Sequence, residues 1–306
     1  MVKRFLSSTS SELNKFNKEE LLESIAASEG RVIVAETVGI VQPLLYPISN
    51  AETVAAFGAD MIILNVFDVD NPVVHGYEHV DKKDIINEIK RLTGRIVGIN
   101  LEPVDEDGET LGEIQKLPKG RLGTVENAEK AAQMGVNFIV LTGNPGTGVS
   151  NKAIEKSLEN IKKAVGSKVM LIAGKMHAAG SYKEAAQNII TKADIEAFVK
   201  VGADVILMPA PGTVPGITME YIRELVEYSH KLGVLTLTAI GTSQEGTDEG
   251  TIKQIALMCK MTGTDMHHLG DAGYLGIAAP ENILAYSIAI RGKRHTYSRI
   301  AASINR

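Results

Sequence analysis

Along this chain, short runs of apolar and β-branched residues alternate with polar loops and amphipathic stretches at intervals of about 30 to 40 residues. The apolar runs are Val32–Thr37, Met61–Phe67, Ile96–Leu101, Phe138–Thr142, Val169–Ala173, Val205–Met208, Leu235–Ile240 and Met266–Leu269. Between and after them lie helical patterns over Ala51–Phe57, Lys82–Leu92, Val125–Met134, Lys152–Val165, Ala193–Val201, Met219–Leu232, Glu249–Met261 and Pro280–Ile290. Within Met219–Leu232, Met219, Ile222, Leu225, Val226 and Ser229 recur at spacings of three and four, a helical stripe. Five runs are entered by similar turns, FGAD (57–60), MGVN (134–137), VGAD (201–204), LGVL (232–235) and TGTD (262–265). Glycine just past a helix end accommodates a left-handed cap, and a strand follows after a short loop.

Continuous apolar strands alternating with helices predict a parallel sheet covered by helices. Eight such units favour a closed (βα)8 barrel, a TIM barrel, over an open doubly wound sheet, and no G-x-G-x-x-G follows the first strand. The reading is one domain over residues 1–306, with a helical extension over 1–30, the barrel over 31–290 and a tail over 291–306. Ser11–Ser28 is expected to form an extra helix closing the barrel's N-terminal end. Arg291–Arg306, with six Lys, Arg or His, reads as a solvated helical tail or an oligomer contact.

Composition narrows the class. Of 306 residues, 44% are apolar and 23% charged, which excludes intrinsic disorder. A single cysteine, Cys259, excludes a disulfide framework and a cysteine-based zinc site; its apolar setting makes it a core residue. A net charge of −5 and the absence of Trp argue against nucleic-acid binding. No apolar run is long enough for a membrane span, and the N-terminus lacks a signal core, so a cytoplasmic protein is expected.

Function in such barrels sits on the loops after the C-terminal strand ends. There the sequence supplies Glu36 after strand 1, Asn65 and Asp68 after strand 2, and Asn100 and Glu102 after strand 3. Thr142 and Asn144 follow strand 4, Lys175 and His177 strand 5, Thr242, Ser243 and Glu245 strand 7, and His267, His268 and Asp271 end strand 8. So dense a polar ring points to an enzyme. The loops Gly241-Thr242-Ser243 and Gly270-Asp271-Ala272-Gly273 are small enough for backbone amides to approach an anion. With these loops, residues 31–290 resemble the phosphate-binding (βα)8-barrel superfamily, and the resemblance implies a phosphate held by Gly241, Thr242, Ser243, Gly270, Ala272 and Gly273. Asp271 would repel such an anion unless it points away or holds a bridging metal. A second Gly-rich stretch, residues 142–148, reads either as an anion loop or as a lead-in to a helix capped by Ser150 or Asn151.

The expected function is a cytoplasmic enzyme on a small phosphorylated metabolite, of lyase (aldolase) or isomerase type, assembled as a homo-oligomer. Its catalytic candidates are Lys175, Glu36, Glu102, His177 and His268. Lys175 shares parity with Leu171 and Ala173; if these face the barrel interior, Lys175 does too, either as a point charge paired with Glu36, Glu102 or a substrate phosphate or as a Schiff-base nucleophile, and otherwise it takes an outward-facing surface role. His267 and His268 face opposite sides of strand 8, and the sequence does not settle which is inward. A metal set of Glu36, Asp68, His267 and Asp271, suited to Mg²⁺ or Mn²⁺, would instead make a metal-dependent hydrolase. A non-catalytic barrel serving as a regulatory or assembly partner is the third reading. The long loops carrying His75 and spanning 104–123 border the mouth and read as lids.

Overall fold

The computed structural model describes residues 2–105, 116–143, 145–177 and 185–306. Eight parallel strands, β1 (Val32–Val38), β2 (Met61–Asn65), β3 (Ile96–Leu101), β4 (Phe138–Leu141), β5 (Met170–Gly174), β6 (Val205–Pro209), β7 (Leu235–Ile240) and β8 (Met266–Leu269), form one closed barrel in sequence order. Closure is made by β1 and β8, with Val32 opposite Met266 and Ala35 opposite Leu269. That pairing excludes the open sheet.

Helices α1 (Ser10–Leu13) and α2 (Lys18–Ala26) precede the barrel. Those on its outside are α3 (Asn50–Ala56), α4 (Ile85–Thr93), α5 (Val125–Met134), α6 (Asn151–Val165), α7 (Lys192–Lys200), α8 (Met219–Lys231), α9 (Glu249–Thr262) and α10 (Pro280–Ala301). Their starts are chemically marked. Ser49 and Glu52 form a capping box on α3, and Ser150 accepts from the Ala153 amide at 3.1 Å, so the 142–148 stretch leads into a capped helix.

The entry turns have a second role. Asp60, Asn137, Asp204 and Asp265, the last residues of four of the five turns, each accept the backbone amide of the second residue of the preceding strand. The bonds run from Ile33 (2.8 Å), Val97 (3.2 Å), Leu171 (2.8 Å) and Thr236 (2.8 Å). A carboxylate or amide at that position thus ties neighbouring strands together at the base of the barrel and satisfies a donor the ladder leaves open.

Strand parity divides the core in two. Val32, Val34, Met61, Ile63, Ile96, Phe138, Val140, Met170, Ile172, Val205, Leu207, Leu237, Ala239 and Met266 fill the barrel. Ile33, Ala35, Ile62, Leu64, Val97, Ile99, Leu171, Ala173 and Leu269 pack outward under the helices. Phe5, Leu13, Leu21 and Ile25 join the inner set, so the N-terminal segment plugs the base. On β3, Gly98 makes room for Phe138: a Cβ there would lie 2.5 Å from the Phe138 ring.

The C-terminal stretch is helical and mostly exposed, as expected, but it is anchored to the barrel through Arg291, Thr296 and Arg299, which are buried. Gly292 (φ 72°) breaks α10, and the turns beyond it fold back against the base. Arg291 and Arg299 grip the fully buried Asp60 at 2.5 and 2.7 Å, and Arg299 also donates to the Phe5 carbonyl at 2.9 Å. Cys259 is buried in the core. Among the described residues no helix is long and apolar enough to cross a membrane.

Candidate active site

The inward parity of the strands continues past the apolar layers into polar residues at the C-terminal mouth. Glu36 follows Val34, Asn65 follows Ile63, Asn100 and Glu102 follow Gly98, and His268 follows Met266. Above these layers lies a cavity of about 190 Å³ whose wall includes Glu36, Asn65, Asn100, Glu102, Arg121, Thr142, His177, Glu245 and Asp271. This is the polar ring of the sequence, with its members now sorted.

Its centre is a carboxyl pair. Glu36 Oε2 meets His268 Nε2 at 3.0 Å, and Glu36 Oε1 accepts from Asn65 Nδ2 at 2.7 Å. Asp271 lies in hydrogen-bonding contact with Glu36, while its Oδ1 accepts from the Gly273 amide at 2.6 Å. Burial, the Glu36 charge and the hydrogen bond with Glu36 push the Asp271 carboxyl up to about 7. Burial raises Glu36 as well, but His268, together with hydrogen bonds from Asp271 and Asn65, outweighs it and holds Glu36 below the usual range. Of the two carboxyls, Asp271 is therefore the one that favours its proton as pH approaches neutral. Asn65 Oδ1 in turn accepts from Asn100 Nδ2 at 3.2 Å, which fixes both amides.

On the β3 side Glu102 pairs with Arg121 and accepts from Thr147 Oγ1 at 3.3 Å. Burial pushes Glu245 up and pulls His177 down, so His177 is neutral at pH 7. Among the described residues, Asn100 Oδ1, Arg121 Nε, His177 Nδ1, Glu245 Oε2 and His268 Nδ1 are buried without a hydrogen-bond partner. Buried polar atoms are rarely left so in native proteins. Their concentration around one cavity is the mark of a site for a small polar ligand.

Several expectations are corrected. His267 points away from the mouth: its Nε2 lies 2.9 Å from the Gly30 carbonyl and its Nδ1 3.1 Å from the Tyr286 hydroxyl. Both ring nitrogens are engaged, so His267 is no metal ligand, and burial pulls its pKa down to about 4. Asp68 is spent on its own loop, where Oδ1 accepts from the amides of Asp70 (2.9 Å) and Asn71 (3.1 Å). The metal set Glu36, Asp68, His267 and Asp271 therefore does not converge. The described residues hold no group of three or more His, Cys, Asp or Glu arranged for a metal ion.

Lys175 departs from its expected place because Met170 and Ile172, not Leu171 and Ala173, face inward on β5. It is fully buried and is not part of the cavity wall, whereas Met176 and His177 are. The loop 8 half of the expected phosphate cradle has no free amides. The amides of Gly270, Ala272 and Gly273 donate to Ile240 O (2.9 Å), Glu245 Oε1 (3.2 Å) and Asp271 Oδ1 (2.6 Å), and Thr242 Oγ1 donates to Thr213 O at 2.6 Å. Ser243 is exposed, with φ 77°. Gly241 alone of the loop 7 set joins Gly270 on the cavity wall. A backbone amide carries a single hydrogen, so the Gly270, Ala272 and Gly273 amides are spent where they are. Asn144 and residues 106–115 of the 104–123 lid lie outside the described residues.

Arg121 escaped the sequence reading. It arrives because the segment around Leu122 pairs beside the end of β3: the Glu102 amide donates to Arg121 O at 2.8 Å and the Gly123 amide to Glu102 O at 2.8 Å. No local motif announces that return.

One family model, described as "Domain of unknown function (DUF7916)", matches residues 6–306. No curated protein matches the chain in sequence. Among solved structures, it is similar to a "putative phosphonomutase" from Burkholderia cenocepacia J2315, at 16% identity and a TM-score of 0.51, covering 83% of this chain and 93% of that one. It is also similar to the carboxyl transferase domain of Rhizobium etli pyruvate carboxylase solved with pyruvate, at 11% identity and a TM-score of 0.54. That match covers 98% of this chain but only about half, 53%, of the other. At these identities the likeness establishes the barrel fold alone.

Proposed function

The chain belongs to the DUF7916 family, and we propose that it is a proton-transfer enzyme of lyase or isomerase type acting on a small acid. The observation that carries this reading is the contact of two carboxyls, Glu36 and Asp271, in the wall of one cavity of about 190 Å³, where burial and the Glu36 charge push Asp271 up to about 7. A general acid–base works best when its pKa lies near the working pH. Ionised, Asp271 takes a proton from a carbon next to a carbonyl; protonated, it returns one to the neighbouring carbon or to the departing fragment. Glu36, held by His268 and Asn65, keeps Asp271 tuned and oriented.

The substrate's acidic group is assigned to Arg121 in the same cavity wall, whose Nε is buried without a hydrogen-bond partner beside its pairing with Glu102. A phosphorylated substrate would use the same anchor, because the loop 8 amides of Ala272 and Gly273 are engaged internally. Pyruvate, named with one of the fold relatives, is a sensible first compound. The test is incubation of the protein in D₂O with a panel of keto acids, hydroxy acids and their phosphate esters, read by mass spectrometry. Deuterium incorporation that is lost in Asp271→Asn supports the reading. Incorporation that persists in that variant overturns the role of Asp271.

A further inference from the structure

A second cavity, of about 260 Å³, lies outside the barrel beside the loop after β2, with Val69, Asp70, Pro72, Lys82, Lys83 and Lys130 in its wall. Three lysines there face one aspartate. Lys130 is shared between Asp70 and Glu126, both at 2.7 Å, and Lys82 donates to the neutral Asn71 side chain at 2.5 Å. Lys83 forms no ion pair among the described residues. With Lys130 neutralised by its two carboxylates, the positive charge open to a ligand is that of Lys82 and Lys83, in a chain whose net charge is −5.

Its wall is joined to the mouth by close contacts. The Asp70 and Asn71 amides donate to Asp68 Oδ1, and the Val69 amide donates to Gly120 O at 3.1 Å. Gly120 is pressed so tightly against this turn that a Cβ would lie 1.9 Å from Asp68 Oδ1. The next residue is Arg121, the proposed substrate anchor, and the turn itself begins at Asn65 and Val66 of the mouth wall.

We infer that this cavity is a regulatory site for a small multiply charged oxyanion, free phosphate or the phosphate of a small ester, and that occupancy shifts the loop carrying Arg121. The anion would compete with Asp70 for Lys130 and draw in Lys82 and Lys83. Released from Lys130, Asp70 loosens the turn on which Gly120 rests. The consequence for Arg121 rests on the proposed function; binding itself does not, so the two fail separately.

The test is calorimetric titration of inorganic phosphate and, separately, glycerol phosphate at constant ionic strength, with hydrogen exchange of residues 119–122 followed in parallel. The expected result is saturable binding at least about tenfold weaker, or ~1.4 kcal/mol, in Lys82→Ala/Lys83→Ala and unchanged in Arg121→Ala, with altered exchange at 119–122. Binding of phosphate alone identifies the free ion as ligand; binding of both identifies the ester class. No saturable binding, or binding lost in Arg121→Ala but kept in the lysine variant, overturns the site. Binding with unchanged exchange at 119–122 overturns its regulatory link.

Discussion

Replacing Asp271 by Asn should stabilise the protein at alkaline pH and leave it unchanged in acid. Burial, the Glu36 charge and the shared hydrogen bond raise this carboxyl from an ordinary 3.8 to about 7. Below 3.8 folded and unfolded chains both hold the proton. Between 3.8 and about 7 only the folded chain holds it, so the contribution to stability falls as pH rises, and above about 7 the full penalty is present. At 1.36 kcal/mol per pH unit the span sets a ceiling of about 4 kcal/mol. Asp271 is partly open to solvent, and screening brings the expectation to about 2 kcal/mol. Asn cannot ionise, keeps an acceptor for the Gly273 amide and offers Glu36 an N–H in place of the acid proton. Urea unfolding followed by far-ultraviolet circular dichroism, at pH 4 and pH 8, measures the difference. A gain of about 2 kcal/mol at pH 8 and none at pH 4 is expected. An equal effect at both values, or a loss at pH 8, would refute the raised pKa of Asp271. Stability held back at a reactive group is what a stability–activity trade-off requires.

Other consequences follow from the same geometry. Burial lowers His267 from 6.5 to about 4, so its neutral form stabilises the fold above pH 6.5 and that contribution is lost as pH falls towards 4; in His267→Gln this pH-dependent part, about 2–3 kcal/mol, should vanish from urea unfolding curves. Asp60→Ala leaves Arg291 and Arg299 buried without their counter-charge and should cost about 3–5 kcal/mol, read as a lowered thermal midpoint. Gly98→Ala forces a methyl against Phe138 inside the barrel and should cost at least about 1–3 kcal/mol in the same assay.

The barrel was legible because its signals are local: apolar strand runs and Gly-containing entry turns recur around the sheet. The mouth was legible in part. Glu36, Glu102 and Asp271 stand at strand ends where a polar residue interrupts an apolar run, and all three line the cavity. Lys175 misled because β5 is apolar on both faces, so sequence alone gave no way to choose Met170 and Ile172 over Leu171 and Ala173 as the inward pair. The glycines of loops 7 and 8 suggested free amides, but whether an amide is free depends on Glu245 and Asp271 folding back onto Ala272 and Gly273. Arg121 was invisible for a related reason: its place depends on a non-local bridge between Glu102 and Leu122. His267 and His268 were undecidable until closure against β1 set their faces.

The central claim is that Asp271 holds a transferable proton near neutral pH because Glu36 lies against it. Carbon-13 NMR of labelled Asp side-chain carboxyls, titrated from pH 3 to 9 in the wild type and in Glu36→Gln, tests it directly. The account predicts one Asp resonance with a midpoint near 7, absent from Asp271→Asn and moved to lower pH when the Glu36 charge is removed. A wild-type Asp271 that titrates in the ordinary carboxyl range near 4 would contradict it.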